Sequence, residues 1–372
     1  PAMILMHPSP NSSESLIGAI EAFSEIYTCI ALDTPGYGIS DDSVPDKTLL
    51  WGYADAIAKV LDVFGLEDAF IYGAATGAQI GVQFARKYPQ RTRLLIMDAA
   101  AHFSEEDLNQ IEAGYFVDLT PKRDGSHLLA AWDASRHLSV FFPWHSERLD
   151  QRIHAGVAPP ELIQHGVNQM LRAGTNYKDA YWQAFQVENH GNTSKVTVPT
   201  ILAHNTQSIV SSHTDKLIDM GLPDNFKVVT VEHATRFPRL IEASLAYVDG
   251  PKCPPPPPQT NTQPTMQNTI VNVDGGALRA RVCLEGKGRP LMTIHDPAGS
   301  SLLVEPILES YLGRRPVIAF DNPGNGESDA VIDIISSESY ATTMLSALHT
   351  MGIEDVDVVG RYSGGPVAME MS

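Results

Sequence analysis

Residues able to move a proton or clamp a charge gather at the ends of apolar runs in this chain. His7 and His295 each end an apolar strand, and Asp98 ends the run Leu94-Leu95-Ile96-Met97. His233 follows the run that closes at Val231. A histidine beside a carboxylate is the usual pair for acid–base chemistry, the carboxylate fixing the imidazole tautomer. If a serine acts as nucleophile, His233 is the best candidate base and Asp98 the best candidate orienting acid; without one, His233, His7 and the phenol of Tyr37 are the groups able to move a proton. A further group, His127, Trp132 and Arg136, sits on a helix expected to start near Ser126. There a guanidinium can grip a substrate carboxylate in two places and the aromatics can wall an apolar pocket. Each residue also has a plainer reading. His7 closes a turn, Asp98 is a strand-end residue, His233 lies on a surface loop, and Arg136 is solvated on a helix capped by Asp124 or Ser126.

The elements that must position these groups alternate. Met3 to Met6, Tyr27 to Leu32, Ala69 to Tyr72 and Leu94 to Met97 are short apolar runs of strand type. Between them lie helical patterns at about Ser13 to Phe23, Leu50 to Phe64 and Thr76 to Tyr88. In the second of these, Ala54, Ile57, Leu61 and Phe64 make one apolar face. Continuous apolar strands alternating with amphipathic helices predict an α/β, doubly wound, mostly parallel sheet covered on both sides. Residues from about 102 to 195 interrupt the alternation with a helical, aromatic-rich insertion, placed to cover the carboxyl ends of the strands, where ligands bind in open α/β sheets. The strand and helix pattern resumes at Pro199 to Ala203, Phe226 to Val231 and Pro238 to Val248.

Residues 251 to 266 contain five consecutive prolines, Pro254 to Pro258, which can join neither a helix nor a central strand. They divide the chain into a domain at 1–250, a stiff linker at 251–266 and a second segment at 267–372. The two parts repeat one another. Asp33-Thr34-Pro35-Gly36-Tyr37-Gly38-Ile39-Ser40-Asp41 corresponds to Asp321-Asn322-Pro323-Gly324-Asn325-Gly326-Glu327-Ser328-Asp329. His7 corresponds to His295, Gly65-Leu66-Glu67-Asp68 to Gly352-Ile353-Glu354-Asp355, and Gly73 to Gly360, with order kept and spacing altered by one residue. This pattern indicates a duplication at domain scale. The second copy opens with a strand pair, Thr269 to Val273 and Leu278 to Val282, turned at Asp274-Gly275-Gly276, and holds only the first half of the fold. The chain is therefore expected to be a piece of a longer tandem protein, with completion by a partner chain as the alternative.

These motifs resemble the α/β-hydrolase superfamily. The first copy is similar to a hydrolase with a helical cap over residues 1 to 250, the second to its first half. The Asp33 and Asp321 motifs resemble the family's D-x-P-G-x-G-x-S turn, whose role is structural. The resemblance implies an oxyanion loop at His7, where Pro8 replaces a glycine and removes one N–H donor, and an oxyanion contribution from Thr76. It also implies a nucleophile elbow, a strained strand–turn–helix of pattern G-x-S-x-G. Here the elbow reads Gly73-Ala74-Ala75-Thr76-Gly77, so Ala75 holds the nucleophile position; the second copy puts Tyr362 there. An alanine methyl attacks nothing. Either a serine has been substituted at residue 75, or the site is natively altered. The second view gains from Ser208 at the usual place of the acid and Arg236, before Phe237-Pro238, at the usual place of the histidine.

The expected function is that of an enzyme of this superfamily acting on a small organic substrate, an ester, thioester or activated carbon–carbon bond, in a capped pocket without a serine nucleophile. The alternative is an inactive pseudo-hydrolase that binds a small ligand or partner. A net charge of −18 argues against a nucleic-acid partner. No apolar run is long enough to cross a bilayer. No nucleotide or metal motif is present, so no cofactor and no metal is expected. The three scattered cysteines, with no leader after Pro1, fit a reducing, cytoplasmic setting. Homo-oligomers or intramolecular pairing of the copies are the assemblies considered.

Overall fold

The computed structural model describes residues 1–153, 156–249, 252–255 and 264–372. Most of the polyproline run and the polar stretch behind it lie outside them. The chain divides into two compact units, Pro1–Pro257 and Pro258–Ser372.

The first unit is built on six parallel strands: β1 (Ala2–Met6), β2 (Thr28–Leu32), β3 (Ala69–Ala74), β4 (Thr92–Asp98), β5 (Thr200–Asn205) and β6 (Phe226–Val231), in the order β2-β1-β3-β4-β5-β6. Alternation along each strand sorts its side chains onto two faces. Ile4, Met6, Ile71, Leu95, Met97 and Leu202 face the helices Trp51–Val63 and Thr76–Lys87. Met3, Leu5, Phe70, Tyr72, Leu94, Ile96 and Ile201 face the helices Ile17–Phe23 and Arg236–Ser244. β1 is fully buried, which explains its unbroken apolar run, whereas β2 at the sheet edge is only partly covered and leaves Cys29 half-buried.

Between β4 and β5 the chain forms the helices Glu105–Gly114, Ser126–Leu138, Pro160–Ala173 and Lys178–Val187 and the short turn His190–Thr193. Ser104 and Asp107 cap the first of these reciprocally. Gly73 and Gly77 let the elbow helix close on the sheet: a Cβ at residue 73 would collide with the Gly77 carbonyl, and one at residue 77 with the Met6 carbonyl.

The second unit has five strands: β7 (Gln267–Val273), β8 (Gly276–Cys283), β9 (Leu291–Ile294), β10 (Val317–Phe320) and β11 (Asp357–Gly360), in the order β11-β9-β10-β8-β7. The β7–β8 hairpin and the β8–β10 pair are antiparallel, and the remaining pairs are parallel. Its core joins Leu278, Met292, Ile294, Ile318 and Phe320 to Met344, Ala347 and Val367 of the helices Ser337–Thr350 and Gly364–Glu370.

Candidate functional site

The elbow forms as a sharp left-handed turn. Ala75 adopts φ 47°, ψ −111° between β3 and the helix Thr76–Lys87. Its N–H donates to the Asp98 carbonyl at 2.8 Å, and its carbonyl accepts from Gln79 N–H at 3.1 Å. Thr76 is buried at the start of the helix, where first-turn N–H groups have no intrahelical acceptor. Such N–H groups favour negative charge.

Asp98 is 1% exposed at the end of β4. Its Oδ2 accepts from the Tyr72 hydroxyl at 2.7 Å and lies 3.3 Å from Arg236 Nη1. Among the described residues its Oδ1 has no partner, nor does the buried Nε of Arg236. Arg236 opens its helix and lays its guanidinium over Phe237, 4.3 Å from the ring centre. Burial and the neighbouring Asp98 both push the Tyr72 phenol well above its ordinary pKa.

The expected pairing of His233 with Asp98 does not form. His233 sits in the short turn His233–Thr235, exposed, with Nδ1 3.1 Å from Asn205 Nδ2 and its backbone N–H on Gln207 Oε1. Arg236, three residues later, is the residue that turns back to the acid.

His7 is also not free to move protons. It is wholly buried; its Nε2 accepts from Thr34 N–H at 2.9 Å and its Nδ1 donates to the Pro8 carbonyl at 2.9 Å. Burial pushes its pKa down, which keeps it neutral in this one tautomer. It bolts the end of β1 to the end of β2. Tyr37 donates to the Tyr177 carbonyl at 2.5 Å, and burial raises its phenol pKa, so it ties the turn after β2 to the helical insertion.

The residues expected to wall the pocket fall on the wrong sides of their helix. Arg136 is exposed, with its guanidinium 3.1 Å from the His137 ring; the Nδ1 of His127 accepts from Lys122 N–H at 3.2 Å; Trp132 packs half-buried on the main core. The face of Ser126–Leu138 turned to a cavity carries Ala134, Ser135 and Leu138 instead. That cavity, about 130 Å³, is completed by Asn11 after β1, by Trp144 and Met170, and by Tyr115, Tyr177 and Tyr181. The hydroxyls of Tyr115 and Tyr181 meet at 2.7 Å.

The helix that carries Tyr181 ends on a buried acid that the sequence reading missed. Glu188, 5% exposed, follows the helix Lys178–Val187. Its Oε1 accepts from Ala101 N–H at 2.8 Å, just beyond β4. Burial raises its pKa from 4.5 to about 8, against the lowering effects of the Ala101 amide and the neighbouring Gln79 carboxamide. Gln79 is itself wholly buried, and neither end of its amide reaches a full hydrogen bond. One signal existed: the helix is buried continuously from Thr76 to Ala85, yet carries Gln79 and Gln83. Glutamines inside a fully covered helix call for a polar neighbour.

In the second unit Tyr362 takes the elbow position with φ 45° but is 78% exposed, beside the Arg361 guanidinium. Ser363 bonds Asp296 at 3.1 Å. Among the described residues no group of three or more His, Cys, Asp or Glu is placed to hold a metal, and no helix is long and apolar enough to cross a membrane.

The family model for the alpha/beta hydrolase fold matches residues 1–235. The chain belongs to the alpha/beta hydrolase fold family. Over 106 residues it is 29% identical to an uncharacterised protein of Mycobacterium bovis, covering 28% of this chain and 31% of that protein. Over 99 residues it is 30% identical to a 2-hydroxy-6-oxononadienedioate/2-hydroxy-6-oxononatrienedioate hydrolase of Paraburkholderia phymatum, covering 26% of this chain and 34% of that enzyme. The chain thus spans about a third of the length of the curated relatives it matches. Among solved structures, a bromoperoxidase from Bacillus anthracis aligns with TM-score 0.50 and 16% identity over 66% of this chain and 91% of its own. That likeness is one of alpha/beta hydrolase fold alone.

Proposed function

We propose that the first unit is a hydrolase-type enzyme that cleaves a small ester, thioester or activated carbon–carbon bond in the cavity beneath the helical insertion, without a serine–histidine relay. The insertion serves as its cap, and the two units are read as copies of one half-fold. One observation carries the mechanism: Asp98, placed to orient a catalytic histidine, is engaged by Arg236. A guanidinium stays charged at every working pH and cannot take a proton from a nucleophile. With alanine at residue 75, neither end of the relay remains. Water is then the attacking group, and the protein contributes the N–H groups at the elbow, the shaped cavity and a proton donor. The size of the cavity favours a short acyl group. The same ion pair favours a second reading, a pseudo-hydrolase that binds a small ligand or partner without turnover.

The test uses a fluorophosphonate, which labels activated serines, on three proteins: the chain as it stands, Ala75→Ser, and Ala75→Ser with Arg236→His. No labelling of the first two and labelling of the third is expected. Strong labelling of Ala75→Ser alone would mean that a relay survives and would sink the reading.

A further inference from the structure

Tyr115 and Tyr181 meet in the wall of the cavity under the helical insertion, their hydroxyls 2.7 Å apart. A hydroxyl has one proton to donate and room to accept two. Whichever phenol donates to the other, the second proton has no acceptor among the described residues. Burial pushes the Tyr181 phenol up to about 12 and the Tyr115 phenol well above its ordinary value, so both keep their protons through the neutral range. A buried donor left without an acceptor costs free energy, and an oxygen placed in the cavity recovers it. The Trp144 N–H and the Tyr177 hydroxyl already donate to the carbonyls of Tyr115 and Val117, at 2.8 and 2.9 Å. Among the described residues the other polar side chains of the wall are Asn11 and Ser135, both uncharged, and the rest are apolar. A carboxylate entering here would give up its water without meeting a cation. Gly166 stands on the same wall, within the helix Pro160–Ala173, where alanine would favour the helix. A Cβ at that position comes within 3.1 Å of the Ser135 hydroxyl, so any side chain there takes space from the cavity.

We propose that this cavity takes a small neutral molecule whose carbonyl or ester oxygen accepts a hydrogen bond from the Tyr115–Tyr181 pair, that Gly166 sets the length of the apolar group beside it, and that carboxylates are rejected. The proposal rests on the reading above in taking this cavity as the seat of the substrate, and it names the class of that substrate. The two phenols act as one donor: either can point its proton at the ligand while accepting from the other. The apolar wall then covers the short acyl chain, and the missing side chain at residue 166 leaves room for its end.

The experiment titrates the full chain with methyl butyrate and with monomethyl succinate, followed by saturation-transfer NMR. The two acyl groups are equal in length and differ in a terminal carboxylate. Methyl butyrate should bind at least roughly 30-fold tighter, the carboxylate being desolvated without a partner. Tyr115→Phe or Tyr181→Phe leaves the remaining phenol with a proton free for the ligand, so each should hold methyl butyrate within about 3-fold, whereas the double variant should weaken it by about 10-fold. Gly166→Ala should weaken methyl butyrate by roughly 10-fold and keep methyl acetate within about 2-fold. Circular dichroism checks the fold of every variant. Equal binding of the two esters by the parent, or a double phenylalanine variant that binds methyl butyrate as the parent does, overturns the proposal. Gly166→Ala weakening both acyl lengths alike overturns the role of Gly166. Turnover is measured separately with p-nitrophenyl butyrate and the p-nitrophenyl half-ester of succinate. Binding of methyl butyrate with p-nitrophenyl butyrate no faster than buffer overturns the enzymatic reading and supports the ligand class. Equal turnover of both p-nitrophenyl esters overturns the class and supports the enzymatic reading.

Discussion

At Ala75 the chain turns from β3 into a helix with φ 47°, and at Tyr362 it turns from β11 into a helix with φ 45°. The scaffolds around the two turns share a set of bonds. His7 Nε2 accepts from Thr34 N–H and His295 Nε2 from Asn322 N–H, both at 2.9 Å. Asp33 accepts from the amides of Ser13 and Ile39, and Asp321 from those of Ser301 and Glu327. The surroundings differ. Ala75 stands beside a buried acid and an arginine; Tyr362 is exposed, beside the Arg361 guanidinium. Motifs shared by the units therefore maintain backbone geometry, while the buried pair Asp98 and Arg236 and the buried acid Glu188 belong to the first unit.

The largest effects should come from breaking what is common. A Cβ at Gly73 would strike the Gly77 carbonyl, and one at Gly360 the Gly364 carbonyl. Gly73→Ala and Gly360→Ala should each destabilise their own unit by about 3 kcal/mol, an overpacking cost against backbone that cannot yield. Denaturant unfolding, followed by hydrogen exchange in each unit, checks this; a loss at only one glycine would end the equivalence of the elbows.

An effect of pH should be confined to the first unit. Between pH 4.5 and 8 folded Glu188 holds a proton that the unfolded chain releases, so stability falls as pH rises through this window. The slope from this group approaches about 1.4 kcal/mol per pH unit. Glu188→Gln should flatten it and leave the protein more stable at pH 8, as read from Tm against pH. An unchanged profile would place the carboxyl in water, as Tyr362 is.

The smallest effect is expected at Arg136. With its side chain exposed on the far side of the helix from the cavity, Arg136→Ala should leave p-nitrophenyl acetate kinetics within twofold and stability within about 0.5 kcal/mol. A clear loss would bring the expected carboxylate clamp back.

The fold was largely legible because apolar runs and glycine-bearing turns are local signals. The buried strands and the elbow glycines stand where their patterns put them, with β4 reaching Asp98 and the helix after Gly125 starting at Ser126. The site was legible only in part. Ala75, Asp98 and the displaced Arg236 could be located by motif. Their partners could not, since whether His233 or Arg236 reaches Asp98 depends on a single turn of backbone after β6. Glu188 was hidden for another reason: it follows an ordinary helix and precedes Asn189, and nothing local distinguishes a buried acid from a solvated one.

The hydrogen bonds at residue 75 of the first elbow run through its backbone N–H and carbonyl, the close approach of the chain is made by Gly73 and Gly77, and neither uses the side chain of residue 75. Variation at that position is therefore nearly silent to folding. In the descent of such a chain, catalytic identity and foldedness are inherited separately: a lineage can cross from serine to alanine, or back, by a single codon step with selection for a stable protein taking no notice. The fold keeps the address while the occupant changes.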